Sequence, residues 1–352
     1  MSIRPPTPER SLTEMSRDTL RAALTELGEP RYRADQIYRW IFARGARSLD
    51  SMTDAPKALR VKLAEQGYTI GRAVVEKVRE SVDGTRKLQF RLSDGAAIES
   101  VLIPMPGGVF TQCVSSQVGC AMDCKFCYTG TLGLSRHLTA GEIVDQVLQA
   151  PALLPAGNRI DHVVYMGMGE PLHNFEAVLQ SIQTICGVDG PGYSHKRITI
   201  STSGLVPQID RLAEIAPVNL AISLNATTDE VRDRLMPVNK RYPLAELLAS
   251  VRRYPLPPRR KLTFEYVLIG GLNDSDDDAR RLIKLLRGIP SRVNLIPWNP
   301  FDGTVYTRPS DERVRAFQRV LLDKRLTATV RVTKGLDIDA ACGQLGERPD
   351  AA

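Results

Sequence analysis

The chain has 352 residues, of which 43% are hydrophobic and 25% charged, typical of an ordinary globular protein with room for one large domain and a smaller one. Its N-terminal segment is polar and no apolar run approaches the roughly 18 residues of a membrane span, which excludes a membrane protein and predicts a cytoplasmic one. Lys and Arg exceed Asp and Glu by 47 to 40, and the net charge of +7 fits a polyanionic partner.

Residues 1–72 are predicted to form a helical module. Ser11-Leu-Thr-Glu14 has the form of a capping box, and the helix expected after it ends at Gly28 and carries three leucines on one face, Leu20, Leu24 and Leu27. A second helix is expected to run to Gly45 and a third to Gly67. The module is basic, which leaves open a solvated helix surface or a docking surface for RNA; the basic residues are Arg31, Arg33, Arg39 and Arg44.

Residues 73–107 are predicted to form a small antiparallel β meander that links the module to the core. Apolar and polar residues alternate around Phe90, and Asp-Gly pairs at 83–84 and 94–95 mark the turns. The last strand, at 97–103, carries Glu99 within an otherwise apolar run. The local sequence predicts that Glu99 is a solvated residue at a sheet edge, with a role in a site as the alternative.

Residues 108–346 alternate between strand and helix patterns, and residues 347–352 form a tail. Six apolar, β-branched runs are predicted strands: 162–166, 197–201, 219–223, 262–268, 292–296 and 328–332. Amphipathic helical stretches lie between them, such as the one after Thr139-Ala-Gly-Glu142. This order predicts parallel strands with crossover helices, in a barrel or partial barrel of α/β class.

Polar or glycine-rich segments follow several of these strands, at 120–127, 167–171, 201–204, 223–225 and 297–300. The carboxyl ends of parallel barrel strands gather the active site, so one shared pocket is expected there. In the segment Gly167-Met-Gly-Glu-Pro171 the glycines let backbone approach a ligand, and Glu170 offers a carboxylate to an ammonium group. The segment lacks the three-glycine spacing of a dinucleotide site, which rejects a Rossmann fold.

Three cysteines follow one another closely, at Cys120, Cys124 and Cys127. Thiolates at such spacings suit zinc or an iron–sulfur cluster. A structural zinc site needs a fourth ligand, but the next histidine is His137 and no second CxxC follows. Three thiolates on a four-iron cluster leave one iron open to a substrate, which favours the cluster over zinc or over buried structural cysteines. The six cysteines are not spread like a secreted disulfide framework.

The CxxxCxxC motif, with Phe126 before its last cysteine, resembles the radical S-adenosylmethionine (radical SAM) superfamily. With three further segments it closely resembles the RlmN/Cfr family of radical SAM RNA methyltransferases; these are Cys113-Val-Ser-Ser-Gln-Val-Gly-Cys120, Asn294-Leu-Ile-Pro-Trp-Asn-Pro-Phe301 and Asp337-Ile-Asp-Ala-Ala-Cys-Gly-Gln-Leu345. The resemblance covers almost the whole chain. It implies a partial (β/α)6-type radical SAM barrel, an RNA-docking role for the helical module, a [4Fe-4S] cluster, and SAM as both methyl donor and radical source.

The resemblance also implies the roles of individual residues. Cys120, Cys124 and Cys127 would hold the cluster, and the SAM pocket would comprise Gly169, Glu170, Ser201, Ser223, Leu224, Asn225 and Asn299. Cys342 would take a methyl group from one SAM, and a radical from a second SAM would convert it to a methylene radical that adds to an adenine of RNA. Glu99 would accept the adenine C–H proton, and Cys113 would attack the sulfur of Cys342, leaving a Cys113–Cys342 disulfide.

The implied substrates are an adenosine at the peptidyl-transferase centre of 23S rRNA and an adenosine beside the anticodon of tRNA. The implied electron donor is a protein such as flavodoxin or ferredoxin, and a monomer is expected. Pro297-Trp-Asn-Pro-Phe301 favours the branch that methylates adenine C2, whereas departures at Tyr128, Asn225 and Lys334 keep the C8 branch as an alternative. Two other classes remain open: a non-catalytic iron–sulfur or zinc protein that binds RNA, and a radical SAM enzyme acting on a peptide or small molecule.

Overall fold

The architecture is given by a computed structural model that describes residues 10–71 and 73–347. The parts of the predicted module and tail that fall on residues 1–9, 72 and 348–352 lie outside the described residues. Among the helices of the described ranges, none is both long enough and apolar enough to cross a membrane.

The N-terminal module contains the three predicted helices, α1 (Arg17–Glu26), α2 (Arg31–Phe42) and α3 (Lys57–Glu65). Leu20 and Leu24 are fully buried, so the predicted apolar face of α1 is confirmed. The predicted capping box is wrong, because the hydroxyl that caps α1 belongs to Ser16 and accepts the backbone N–H of Thr19. Residues Leu12–Glu14 form a separate 3-10 turn.

The strands are, in chain order, β1 (Val74–Glu80), β2 (Arg86–Arg91), β3 (Ala97–Met105), β4 (Val109–Cys113), β5 (Gln117–Gly119), β6 (Leu134–His137), β7 (Arg159–Tyr165), β8 (Ile198–Thr202), β9 (Asn219–Ser223), β10 (Leu262–Leu268), β11 (Ser291–Pro297) and β12 (Ala328–Val330). Ten of them form one sheet in the order β1-β2-β3-β4-β7-β8-β9-β10-β11-β12, and β5 pairs with β6. β1 to β4 are antiparallel, whereas β4 and β7 to β12 are parallel.

The helices that follow the module are α4 (Tyr128–Thr131), α5 (Ala140–Gln149), α6 (Phe175–Cys186), α7 (Val206–Ile215), α8 (Asp229–Leu235), α9 (Leu244–Arg253), α10 (Asp276–Leu285) and α11 (Asp311–Asp323). α5 to α11 lie between successive parallel strands, as the alternating pattern predicted, whereas α4 lies between the antiparallel strands β5 and β6. The ten-stranded sheet does not pair its first strand with its last among the described residues, so the barrel is partial.

The predicted meander is part of this same sheet, because β3 pairs with both β2 and β4. Glu99 therefore lies on an interior strand, and only 4% of its surface is exposed. The local prediction of a solvated edge residue is wrong. Strands flank β3 on both edges, so other protein groups must pair with the buried carboxyl group.

Glu14 joins the N-terminal module to the core. Its carboxylate accepts the hydroxyl of Thr139 at 2.6 Å and the backbone N–H of Gly141 at 3.1 Å, both at the start of α5. An anion at a helix N-terminus is favoured by the unpaired N–H groups there. A Cβ atom at Gly141 would lie 2.7 Å from the carbonyl oxygen of Thr13, so the contact requires glycine.

Candidate active site

One open cavity of about 990 Å³ lies at the carboxyl ends of the parallel strands. It brings together most of the residues predicted from sequence: Cys120, Cys124, Cys127, Gly169, Glu170, Ser201, Ser223, Asn225, Asn299 and Cys342. The expectation that the polar strand ends share one pocket is thus met by the geometry. Cys342 reaches this cavity from a loop more than two hundred residues further along the chain than the cysteine triplet.

The loop that carries the cysteine triplet is fixed by contacts on both sides. The indole N–H of Trp298 donates to the carbonyl oxygen of Phe126 at 3.0 Å, and the backbone N–H of Lys125 donates to that of Leu235 at 2.9 Å. Asp123 adopts a left-handed conformation with φ of 50°, which turns the chain between the first two cysteines. Protein contacts therefore fix the shape of this loop.

The three thiols fit a cluster better than a single ion. Burial raises the pKa of Cys120 to about 12 and also raises the pKa values of Cys124 and Cys127, so a bound metal is needed to hold them as thiolates. Within the described residues, no three His, Cys, Asp or Glu side chains converge as a single-ion site requires. In a four-iron cluster each thiolate binds its own iron, and the thiolates need not meet at one point.

Glu170 is held with both carboxylate oxygens bonded. One oxygen accepts the backbone N–H of Leu172 at 3.0 Å, and the other accepts that of Ser203 at 2.7 Å. The backbone N–H of Glu170 itself donates to the side-chain oxygen of Gln117 at 2.8 Å. Burial raises the pKa of Glu170, so a cation in the cavity would favour its charged form.

The ends of β8 and β9 are tied together by a buried arginine, Arg232 of α8. Its guanidinium donates to the carbonyl oxygens of Ser203 at 2.6 Å, Ser223 at 3.2 Å and Leu224 at 3.0 Å. Leu224 is fully buried and, unlike the other predicted pocket residues, does not line the cavity. The side chain of Asn225 accepts the backbone N–H of Val267 at 2.8 Å, which links β9 to β10.

Asn299 connects the strand ends to the C-terminal segment, residues 335–347, which we call the Cys342 loop. Its amide N–H donates to the carbonyl oxygen of Cys342 at 3.1 Å. Its amide oxygen accepts from Arg308 and from Thr333, each at 3.1 Å. The predicted SAM-binding residue is thus also a support for the loop that carries the predicted methyl acceptor.

A second, smaller cavity of about 390 Å³ adjoins the first and is lined by both Cys113 and Cys342. Both thiols are free. Burial raises the pKa of Cys113 to about 12, and the neighbouring Cys342 adds to this effect. The two cysteines of the predicted disulfide therefore share one space, in the reduced state.

Arg331 and Glu265 line the main cavity and were missed by the sequence reasoning. Arg331 directly follows β12, and its pKa is raised chiefly by the charge of Cys342 and further by that of Glu265. Glu265 lies on β10 and accepts the side-chain amide of Asn294 at 2.7 Å. Nothing in the local sequence distinguishes these two residues, since only the folded sheet brings them to the cavity that Cys342 also lines.

Glu99 lines neither cavity. Its carboxylate forms an ion pair of 3.1 Å with the ammonium of Lys87 and accepts the backbone N–H of Gly346 at 2.9 Å. Lys87 also donates to the carbonyl oxygen of Asp339 at 3.3 Å. The predicted proton acceptor therefore lies against the Cys342 loop and outside the lining of both cavities.

Comparison with known proteins agrees with this site. Residues 114–283 match the radical SAM superfamily, and residues 10–68 match the ribosomal RNA large subunit methyltransferase N-terminal domain. The dual-specificity RNA methyltransferase RlmN of Geobacter sulfurreducens is 51% identical over 337 residues, covering 96% of this chain and 92% of the relative. That of Pelobacter propionicus is 48% identical over 347 residues, covering 98% of each. The crystal structure of a radical SAM methyltransferase from Sphaerobacter thermophilus superposes with a TM-score of 0.89 at 46% identity, covering 96% of this chain and 99% of that one.

Proposed function

This chain belongs to the RlmN family of radical SAM RNA methyltransferases, and on that premise we propose that it methylates C2 of an adenosine in 23S rRNA and in tRNA. The observation that carries the proposal is the position of Cys342, which lines the cavity of the cysteine triplet and also the smaller cavity of Cys113. The thiol of Cys342 can therefore receive a methyl group in the main cavity and be released from the product carbon in the cavity that it shares with Cys113.

Cys120, Cys124 and Cys127 would hold the [4Fe-4S] cluster, and the main cavity would hold SAM. When bound, the cluster and SAM supply a 5′-deoxyadenosyl radical. This radical converts the methyl group to a carbon radical, which can add to adenine C2, whereas an ordinary methyl donor cannot methylate that carbon. Glu170 would bind the amine of SAM, and both of its carboxylate oxygens are already oriented by backbone N–H groups. Asn225 and Asn299 would shape the rest of the pocket.

Cys342 carries the methyl group in this scheme. As a thiolate it attacks the methyl carbon of one SAM and releases S-adenosylhomocysteine, a substitution for which the cation of Arg331 beside it is favourable. Once its methyl carbon is bonded to adenine C2, Glu99 accepts the C2 proton. The thiol of Cys113 then loses its proton and attacks the Cys342 sulfur, so the S–C bond breaks, the Cys113–Cys342 disulfide forms, and the carbon takes a proton to become the methyl product; the unpaired electron left from the radical addition would be taken up by the oxidised cluster.

The N-terminal module is proposed to dock RNA through the start of α2. Arg39 and Arg44 are occupied by ion pairs of 3.1 Å with Asp189 and 2.9 Å with Asp54. Arg31 and Tyr32 are exposed at the N-terminal end of that helix, and the guanidinium of Arg33 stacks on the Tyr32 ring at 4.7 Å. Cations beside an exposed aromatic ring suit a phosphate backbone with unstacked bases.

The proposal is tested by reconstituting the cluster anaerobically and incubating the enzyme with SAM, a reductant and rRNA from a host that lacks the modification. We expect 5′-deoxyadenosine and 2-methyladenosine by mass spectrometry, and neither methylated RNA nor a methyl on the protein from Cys342→Ala. The relatives carry the RlmN name, which favours C2 over C8. Exclusive formation of 8-methyladenosine would contradict the regiochemistry, and an active Cys342→Ala variant would contradict the relay.

A further inference from the structure

Lys87 and Glu99 form an ion pair removed from water. Glu99 pairs with Gln89 across β2 and β3, so Lys87, two residues from Gln89, is its diagonal neighbour on the same face of the sheet. The side chains of Lys87 and Glu99 are only 7% and 5% exposed. Breaking such a pair by removing one partner leaves an uncompensated buried charge.

Both members of this pair also contact the Cys342 loop. Glu99 accepts the N–H of Gly346, four residues after Cys342, and Lys87 donates to the carbonyl oxygen of Asp339, three residues before it. The loop is therefore fastened on both sides of its cysteine to one buried ion pair. A displacement of the loop changes the surroundings of Glu99, and a change of charge at Glu99 loosens the loop.

A general base has to be ionised and has to reach the proton that it accepts. Burial alone favours the neutral form of a carboxyl group, whereas a cation about 3 Å away favours the charged form. In this closed arrangement both oxygens of Glu99 are bonded, one to Lys87 and the other to Gly346. The base is thus paired and covered by the loop in this arrangement.

We propose that Lys87 is a positioning residue that holds the carboxylate of Glu99 in place and couples the availability of this base to the movement of the Cys342 loop. The inference rests on the proposed function, in which Glu99 accepts the C2 proton of adenine while Cys342 is tethered to the base. Lys87 touches neither the substrate nor the reacting atoms and acts through Glu99. The rival interpretation is that Lys87 only staples the loop to the sheet.

The two interpretations differ in the step that Lys87 affects. A single turnover is started with RNA whose target adenosine carries either hydrogen or deuterium at C2, and the covalent RNA–protein tether is followed over time on a denaturing gel. We expect Lys87→Met to slow decay of the tether by about tenfold to a hundredfold, within the usual contribution of a positioned base. Because proton removal then limits the decay, the variant should show a deuterium isotope effect larger than that of the wild type.

Lys87→Arg should restore the wild-type decay and isotope effect, because it keeps the cation. Lys77→Met is the matched control, since Lys77 is exposed on the neighbouring strand β1, and it should behave as wild type. If Lys87→Met does not fold, Lys87→Gln makes the same comparison with a polar, neutral side chain. A neutral variant that forms and resolves the tether with the wild-type isotope effect overturns the inference.

The failure of the proposed function looks different in the same experiment. In that case the wild-type enzyme itself forms no tether and shows no methyl on Cys342 in its intact mass. If the wild type forms both and only the isotope effect of the neutral Lys87 variant is unchanged, the methyl relay stands and Lys87 is merely a structural staple.

Discussion

The side-chain N–H of Asn299 donates a hydrogen bond of 3.1 Å to the carbonyl oxygen of Cys342. Asn299 follows β11 at the main cavity, and Cys342 lies in the Cys342 loop, which also lines that cavity. The amide oxygen of Asn299 is fixed in turn by Arg308 and Thr333. The position of the thiol that we propose to carry the methyl group is therefore supported by a residue of the predicted SAM pocket.

Asn299→Asp should loosen the Cys342 loop without emptying the pocket. Aspartate keeps the oxygen that accepts from Arg308 and Thr333 but loses the donor to Cys342, at a cost of about 1–3 kcal/mol for the unpaired buried carbonyl. Hydrogen exchange in residues 340–346, measured without SAM, should become faster. Protection equal to that of the wild type would show that the loop is held by its other contacts.

Removing one thiol of the triplet should abolish cluster binding. Cys124→Ala is expected to lose the iron content and the visible absorbance of the reconstituted protein, because only two of the three thiolates that hold the cluster would remain. Cys186→Ala is the matched control: this free, partly exposed cysteine ends α6 and does not line the main cavity. Equal iron loading of both variants would contradict the assignment of the ligands.

Arg331→Met should slow methylation of Cys342. The guanidinium favours the thiolate that attacks SAM, so its loss should lower the rate by roughly tenfold, equivalent to about 1.4 kcal/mol. The rate is followed by intact mass with SAM alone, which isolates this step from the radical chemistry. Arg331→Lys keeps the charge and should retain most of the rate, and a neutral variant with unchanged kinetics would remove Arg331 from the mechanism.

Gly141→Ala should weaken the docking of the N-terminal module by about 1–3 kcal/mol, because the new methyl group would collide with the Thr13 carbonyl and the Glu14 carboxylate. Hydrogen exchange at the start of α5 should rise. Gly157→Ala is the comparison, since its φ of 82° makes alanine strained there while no atom lies within 4 Å. That variant should lose stability without faster exchange at α5.

Acid should destabilise the protein through His137 and His173. Their rings lie 4.9 Å apart, and the amide of Gln117 donates to both Nδ1 atoms, at 2.8 and 3.2 Å. Burial lowers the pKa of each histidine, so the unfolded chain takes up protons below pH of about 6.5 while the folded chain does not. Stability should therefore be full above that pH and fall below it.

The melting temperature measured from pH 7.5 to 5.5 checks this sign. The double variant His137→Asn, His173→Asn should lose less stability on acidification than the wild type. His162→Asn, at a side chain that is 48% exposed, is the control and should follow the wild type. An equal acid loss in all three proteins would place the sensitivity elsewhere.

The alternation of strands and helices was predictable because each parallel strand is a continuous apolar run between amphipathic helices. The short β5–β6 hairpin was not predicted, since strands of three and four residues carry too little pattern. Ser11 and Glu14 had the residue types of a capping box, but Glu14 bonds the start of α5 instead. A tertiary partner more than a hundred residues away outcompeted the local one.

The polar strand ends of the site were predictable, because their positions follow from where parallel strands stop. The cysteine triplet was predictable from its spacing, whereas Cys113 and Cys342 were identified only through the family resemblance of their segments. Glu99 was mistaken for an edge residue when read locally, since the strand that covers it, β4, pairs with β3 through a register the sequence does not display. Lys87, Arg232, Glu265 and Arg331 stand in unremarkable local contexts. Their importance comes from burial of charge, which depends on the assembled sheet.

The pairing of β3 with β4 sets Val101 opposite Cys113, two residues along the strand from Glu99. Two of the three proposed reactive groups, Glu99 and Cys113, therefore lie at a separation fixed by the backbone hydrogen bonds between β3 and β4, whereas Cys342 lies in the irregular Cys342 loop. Lengthening or shortening this loop should change where Cys342 lies and leave the spacing between Glu99 and Cys113 unchanged. Enzymes of this kind can therefore differ in the length of the loop without any change in the sheet.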